Sequence, residues 1–586
     1  MKLKCKTIKQ ISLVASLAFL TGCSTPSEPK QEDLLASLDK YSYVKAYMRW
    51  YIKERMDDNG IVGLSIALVD DQKIVWSEGF GYEDKTKGIK ATPQTRYRAG
   101  SITKLFTAMA TMKLAEEGKL NIDKPFKTYL PEFSVKSRFG STNGITPRSI
   151  MTHHSGLIGD WWDRMFATNP LPYTQLVKVI KDEYVAYPPN MMLSYSNVGV
   201  SLLGYAVEKV SGQTYTTYVK HTLLNPLGMK DSDMNMALSG NNASKSYSDG
   251  KEVKEYAIGE IPAGALNTTV EDLSYLAMMV NNNGKMHNQT ILHRQTLKKM
   301  FTIQNKNNIF DVGWNIGLGW FIDDDVLSGK EYVYGHGGGT VAHRSYFAVA
   351  PNSKLGVVVL SNSDSSDATE IANKLLQKAW ESKLGKKLEI KEKIINETSD
   401  FEGIYASFLG KVTITKKGEK YDVTTPSASF LLYKDKYNSY RAKYKLLGFI
   451  PIGIDEIEKI RLYTKDINGQ HVIIGSIPSG TVIVGARVKP HIIPPVWKNY
   501  LGKYNILNNL EPKAFKIKNV LLKIDNEGYL LFEAKMVSGE SINYILKPVN
   551  DTEAIVEGLG RGMKETIYFR DGMFHYAGLK FKKIAK

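Results

Sequence analysis

Ser101 and Lys104 stand three residues apart, where the turn Arg98-Ala99-Gly100 gives way to the apolar run Leu105–Ala110. At that spacing the two side chains share one helical face, one turn apart. The serine oxygen would sit against the first N–H groups of the helix, which favour developing negative charge. A hydroxyl is a weak nucleophile that needs an adjacent base, and a lysine can be that base only when neutral. The same residues also fit an N-cap followed by a solvated lysine. Ser-x-x-Lys recurs at Ser27/Lys30, Ser37/Lys40 and Ser248/Lys251. The pair by itself does not choose between the two readings.

Two more stretches join it. Tyr195-Ser196-Asn197 precedes the helical pattern VGVSLLGYAVEKVSG, and Gly335-His336-Gly337-Gly338-Gly339 follows the strand residues Tyr332-Val333-Tyr334. The order Ser-x-x-Lys, Tyr-x-Asn, His-x-Gly resembles the serine β-lactamase and penicillin-binding-protein superfamily. The likeness is to the branch holding class C β-lactamases, DD-peptidases, esterases and D-aminopeptidases. The flanking phrases MTHHSGL, NPLGMKDSDM, IPAGALNTTVEDLSYLAMMVNNNGK and YGHGGGTVAHRSYFAVAPNSKLGVVVLSN follow the family's order, over about Tyr43 to Trp380.

That resemblance implies a set of roles. Ser101 forms the acyl-enzyme, and Lys104 takes its proton, with its pKa lowered by burial and neighbouring positive charge. Tyr195 shares the proton and passes it to the leaving group. Asn197 offers its amide to the substrate carbonyl and helps fix Lys104. His336 stands where lactamases usually carry lysine, and is expected to donate to Tyr195 or to a substrate oxygen. Glycines 337–339 let backbone approach the substrate closely. The family's oxyanion hole maps onto the N–H groups of Ser101 and Gly339, with Gly338 beside them. His-Gly-Gly in place of Lys-Thr-Gly removes a fixed cation and a hydroxyl that commonly hold a β-lactam carboxylate. This shifts the expectation from β-lactamase toward peptidase, amidase or esterase.

The elements that must position these groups can be read from periodicity. LVDDQKIVWSEGFGYED and FAVAPNSKLGVVVLSN read as hairpins, with turn residues between apolar arms. SNVGVSLLGYAVEKVSG is helical and closed by Gly212, and EIANKLLQKAW is a last amphipathic helix. An α+β body over 40–384 follows, an antiparallel sheet flanked by helices. After a linker at 385–400 the texture becomes β-rich, with TITKKGEKYDV, RLYTKDINGQHVIIG, LLKIDNEGYLLFEA and IYFRDGMFHY as hairpins. Phe401-Glu402-Gly403-Ile404-Tyr405 and Tyr500-Leu501-Gly502-Lys503-Tyr504 repeat an aromatic-x-Gly-x-Tyr opening, the second after Pro494-Pro495. They divide the region into small β domains at 401–499 and 500–586, barrel-like or lipocalin-like. One larger barrel is the alternative. These domains are expected to be separable from the body, shaping substrate access or envelope contact rather than doing chemistry.

Composition and ends bound the setting. The 586 residues exceed what one core usually supports, and 77 basic against 60 acidic residues leave a net charge of +17. From Lys386 onward 33 basic and 22 acidic residues account for +11 of it. Lys2, Lys4, Lys6 and Lys9 precede the apolar run Ile11–Leu20, a signal-peptide pattern too short to span a bilayer. Leu20-Thr21-Gly22-Cys23 resembles a bacterial lipobox. It implies a signal peptide at 1–22, lipidation of Cys23 and a polar tether over 23–39. The protein is then expected outside the cytoplasm, anchored to a bacterial membrane, the outer one in a Gram-negative source because Ser24 rather than Asp follows Cys23. The two cysteines, Cys5 and Cys23, leave no disulfide or thiol nucleophile for the mature body. No zinc-type cluster or nucleotide loop stands out, so no metal or cofactor is expected. Expected partners are a small peptide, amide or ester substrate, the membrane through Cys23, and an anionic envelope polymer through the basic C-terminal region. Nucleic acid is not expected, because the charge is spread rather than striped. The competing readings are a β-lactamase and an envelope-binding protein that keeps the fold with little catalysis.

Overall fold

The computed structural model describes residues 27–30, 39–389, 399–477, 480–508, 511, 516–537 and 539–584. Cys23 and the expected signal segment lie outside the described residues, as do most of the expected tether and linker. The body opens with helix α1 (Ser42–Asn59) and the hairpin β1 (Gly63–Asp70) and β2 (Lys73–Asp84). The helices α2 (Thr103–Glu116), α3 (Asn197–Ser211) and α4 (Val270–Asn281) follow. Strands β3 (Val333–Gly339), β4 (Arg344–Ala350) and β5 (Leu355–Ser361) return to the sheet, and α5 (Ala368–Leu384) ends the body. The antiparallel sheet runs in the order Asn315–Ile316, Phe321–Asp323, β3, β4, β5, β1, β2, Ile89–Lys90. The first and last thirds of the body therefore meet at the β5–β1 seam, where Leu64 faces Ser361 and Asp70 faces Leu355.

Strand alternation sorts this sheet into two cores. On β5, Val358 and Leu360 face the helices α2, α3 and α4, while Val357 and Val359 face α1 and α5. Both faces are apolar because both are covered. Helix α2 runs through the first core and is buried from Thr103 to Met112 and again at Leu114. A helix apolar on all sides is stable only in such a place. This fixes the residues at its N-terminus. Helix α3 starts on the side chain of Ser196, which accepts from the Gly199 N–H at 2.8 Å, and stops at Gly212 in the left-handed region.

All four C-terminal hairpins read from the sequence are formed. They build two barrels rather than one. In the first, Gly403–Ser407 to Gly480–Arg487, the sheet closes because Ser429–Lys434 pairs with both Lys420–Thr424 and Tyr440–Leu446. The second closes eight strands from Gly502–Ile506 to Leu579–Lys583. The repeated motif opens the first strand of each. Gly403 and Gly502 share φ 137°, and Tyr405 and Tyr504 are both buried.

One close approach positions the catalytic region. A Cβ on Gly338 would lie 1.9 Å from the Ala99 carbonyl oxygen and 2.2 Å from Ser345 Oγ, which itself donates to that carbonyl at 2.7 Å. A Cβ on Gly100, at φ 54°, would lie 2.7 Å from the Gly339 nitrogen. The end of β3 thus presses directly on the turn before Ser101. Gly338→Ala should cost about 1–3 kcal/mol of stability through overpacking. In Gly337→Ala the nearest neighbour of the new Cβ would be the Tyr346 ring at 3.5 Å, an ordinary contact, and it should melt close to wild type. Thermal denaturation of both variants checks this, and equal melting temperatures would contradict the packing described.

Candidate active site

Ser101 sits in the turn that delivers α2, and its carbonyl accepts the Lys104 N–H at 3.0 Å. One turn on, the Lys104 side chain folds back so that Nζ lies 3.0 Å from Ser101 Oγ. Nζ also donates to the Ala263 carbonyl at 2.6 Å. The lysine is 2% exposed. Burial, followed by the positive charge of Arg561, brings its pKa down to about 7. This is the nucleophile-and-base arrangement; a solvated lysine after an N-cap is not what the fold builds.

Tyr195 lies across the pair. Lys104 Nζ is 4.9 Å from its ring centre, and its phenol is a hydrogen-bond neighbour of Ser101. Burial holds the phenol above its ordinary pKa, so Tyr195 is a neutral phenol near pH 7, placed to hand a proton on rather than stand as a phenolate. His153, in the left-handed region at φ 58°, backs this ring at 4.2 Å between centres. Its Nδ1 accepts the Ser196 N–H at 3.2 Å. Burial keeps His153 uncharged, well below its ordinary pKa, so the ring is an acceptor and a packing surface.

Asn197 reaches the cleft, but differs from expectation in what it holds. Its amide donates to Asp160 Oδ1 at 2.7 Å, while Lys104 is fixed by Ala263 and Ser101. Asp160 is buried and also accepts Arg561 Nη2 at both carboxylate oxygens, at 2.8 and 2.6 Å.

His336, on β3, is buried in the cleft wall, 6.1 Å from Tyr195 between ring centres. Its Nδ1 is 2.6 Å from the Gly337 carbonyl oxygen, which can only accept, so Nδ1 carries the proton. Burial and then the charge on Lys104 push its pKa down to about 3. The neutral ring therefore leaves Nε2 a bare acceptor, buried and without a hydrogen-bond partner. This corrects the expected role: with the Nδ1 proton given to the Gly337 carbonyl, His336 has an acceptor and no donor left for Tyr195 or a substrate oxygen. The backbone of Gly339 lies against Gly100, beside Ser101, which places the two stretches expected to form the oxyanion hole next to each other.

These groups line a cleft of about 560 Å³ that includes Ser101, Asp160, Tyr195, Asn197, His336, Gly338 and Gly339. Two of its lining residues come from the C-terminal region: Gly480, next to the Trp314 ring, and Arg561. The barrels thus reach the chemistry itself, which the expectation of a self-contained body did not foresee. Sequence reasoning also missed Asp160, His153 and the Ala263 carbonyl. MTHHSGL and IPAGAL signalled two of these, but nothing local to Arg561 marks it.

The arrangement can transfer acyl groups. In such a transfer, neutral Lys104 would accept the Ser101 proton as Oγ attacks a carbonyl carbon, and Tyr195 would relay that proton to the departing group. The chain is 27% identical over 335 residues to "Protein flp" of Staphylococcus aureus (strain N315), a match spanning 55% of this chain and 64% of that protein. The chain thus spans just under two thirds of that relative's length. It is 24% identical to "Putative penicillin-binding protein PbpX" of Bacillus subtilis, over 56% of this chain and 79% of that one. In solved structures it resembles an octameric penicillin-binding protein homologue from Pyrococcus abyssi. That match has TM-score 0.52 and 26% identity, over 73% of this chain and 95% of that one. The Beta-lactamase family model matches residues 48–379, more than half of the chain, and the protein belongs to that family.

Proposed function

We propose that the protein is a serine hydrolase that acts through an acyl-enzyme on Ser101. Its proposed substrates are D-amino-acid peptides, peptidoglycan-type amides or related esters, and its proposed place is outside the cytoplasm, on a lipid anchor at Cys23. The observation that carries the chemistry is the buried Lys104 amine, poised near neutrality 3.0 Å from Ser101 Oγ. A binding protein has no use for that arrangement, since burying an ionisable amine costs stability. The cleft volume suits a short peptide or comparable ester. The uncharged ring of His336 favours these acyl donors over β-lactams, because it offers a carboxylate no fixed positive charge. Beta-lactamase activity is the competing reading within the same chemistry.

Mass spectrometry of the soluble chain after exposure to a fluorophosphonate, a penicillin and a panel of D-amino-acid amides tests the reading. The fluorophosphonate should add one label at Ser101 and none to Ser101→Ala. The amides should turn over faster than the penicillin. Labelling at another serine would sink the assignment.

Lys104→Ala and Tyr195→Phe should each lower kcat/KM by at least about 10². The double variant should lose little more than either single one, because the residues act as a unit. Full activity of Tyr195→Phe would remove the relay. His336→Lys should raise turnover of carboxylate-bearing penicillins relative to a neutral ester, because it sets a cation in the cleft wall. Unchanged relative rates would show that position 336 does not read the carboxylate.

A further inference from the structure

The segment Ile158–Asp163 is held from two sides. On the body side, the Ile158 carbonyl accepts Ser196 Oγ at 2.6 Å, the Gly159 carbonyl accepts the Asn197 N–H at 2.8 Å, and Asp160 accepts the Asn197 amide. On the other side, the second barrel grips nearly every residue. Glu565 accepts the Gly159 N–H at 2.8 Å, and Arg561 clasps Asp160. The Trp162 N–H donates to the Ala577 carbonyl at 2.9 Å, and Asn508 donates to Asp163 at 2.9 Å. The loop that carries Arg561 is itself pinned. The Tyr187 hydroxyl donates to the Gly560 carbonyl and accepts the Gly560 N–H, both at 3.0 Å, and Leu559 packs with Tyr187 and Met192. The barrel is thus joined to the Tyr195–Asn197 turn through one short segment.

We propose that the second barrel is a working part of the catalytic site: Arg561 and Asp160 are positioning residues that set the direction of Asn197 and the charge state of Lys104. This rests on the acyl-enzyme reading above. Asp160 alone would be an uncompensated anion that holds a proton on the nearby amine and so disables the base. Arg561 cancels that charge, and its guanidinium also lies over the Tyr195 ring at 5.0 Å. The groups that bear on Lys104 are Arg561 and Asp160 on this wall, Glu260 and the Ala263 carbonyl on another, His153 behind Tyr195, and His336 on β3. Both histidines are neutral. Arg561 is the cation among these that favours the neutral amine; Asp160 opposes it, and Glu260, whose own pKa burial raises to about 8, opposes it only where it is ionised.

The test measures kcat/KM against pH on the full chain with an activated ester as substrate. Activity requires neutral Lys104, so kcat/KM rises with pH through its acid limb. Arg561→Gln should move that limb up by about one pH unit, a roughly fivefold loss at pH 7 that approaches tenfold well below it. Asp160→Asn should move it down, and the double variant should fall between them. Arg561→Lys keeps the charge and should leave the limb near wild type. Circular dichroism checks that each variant is folded. If Arg561→Gln does not fold, Asp160→Asn and Arg561→Lys still read the same limb. Variants that lose rate with every limb in place would mean a purely structural clamp and overturn the proposal, as would an Arg561→Gln with wild-type kinetics. Fluorophosphonate labelling of the wild type separates the two levels. A wild type that labels at Ser101 while the limbs stay fixed overturns this proposal alone; a wild type that never labels overturns the acyl-enzyme reading and this one with it.

Discussion

Burying an ammonium ion in a protein interior costs several kcal/mol, and the group commonly escapes by giving up its proton. In the proposed chemistry the site turns that cost into reactivity. Lys104 is on a helix buried on all sides, one turn from a hydroxyl, with a backbone carbonyl of Ala263 to fix its amine. Everything else in the catalytic region follows from keeping that amine dry and correctly aimed. The two-faced sheet supplies the burial and β3 closes over the turn before Ser101. Tyr195, backed by His153, covers the amine from above.

The electrostatic balance around this amine is divided between parts of the chain far apart in sequence. Glu260 and Asp160 favour its charged form, and Arg561 disfavours it. Asp160 and Arg561 are 401 positions apart yet share two hydrogen bonds. An active site built this way depends on how the second barrel docks as well as on the family motifs. The neutral state of His336 has the same origin: a fully enclosed imidazole whose proton goes to the Gly337 carbonyl has little reason to take a second one.

Much of this could be read from local pattern. The β1–β2 and β4–β5 hairpins, α3 with its Gly212 stop, α5 and the four C-terminal hairpins each announce themselves within a dozen or so residues, because strand and helix periodicities are local. Ser101, Lys104, Tyr195, Asn197 and His336 were legible as motifs; the fold brings four of them to the wall of one cleft, with Lys104 hydrogen-bonded to Ser101. The direction of hydrogen bonds was not legible. Whether His336 donates or accepts depends on a carbonyl one residue away, and what Asn197 holds depends on Asp160. Arg561 was invisible for a different reason: its role comes from the docking of two domains, which no local spacing encodes.

The central claim is that Lys104 is a neutral base near neutrality because it is buried beside Arg561. The most direct measurement is the rate of Ser101 modification by an uncharged fluorophosphonate as a function of pH. The probe does not titrate, and each adduct is counted by mass. A single rise with its midpoint near pH 7 is the predicted result. A rate still climbing toward the ordinary lysine range, near pH 10, or one indifferent to pH, would contradict the account.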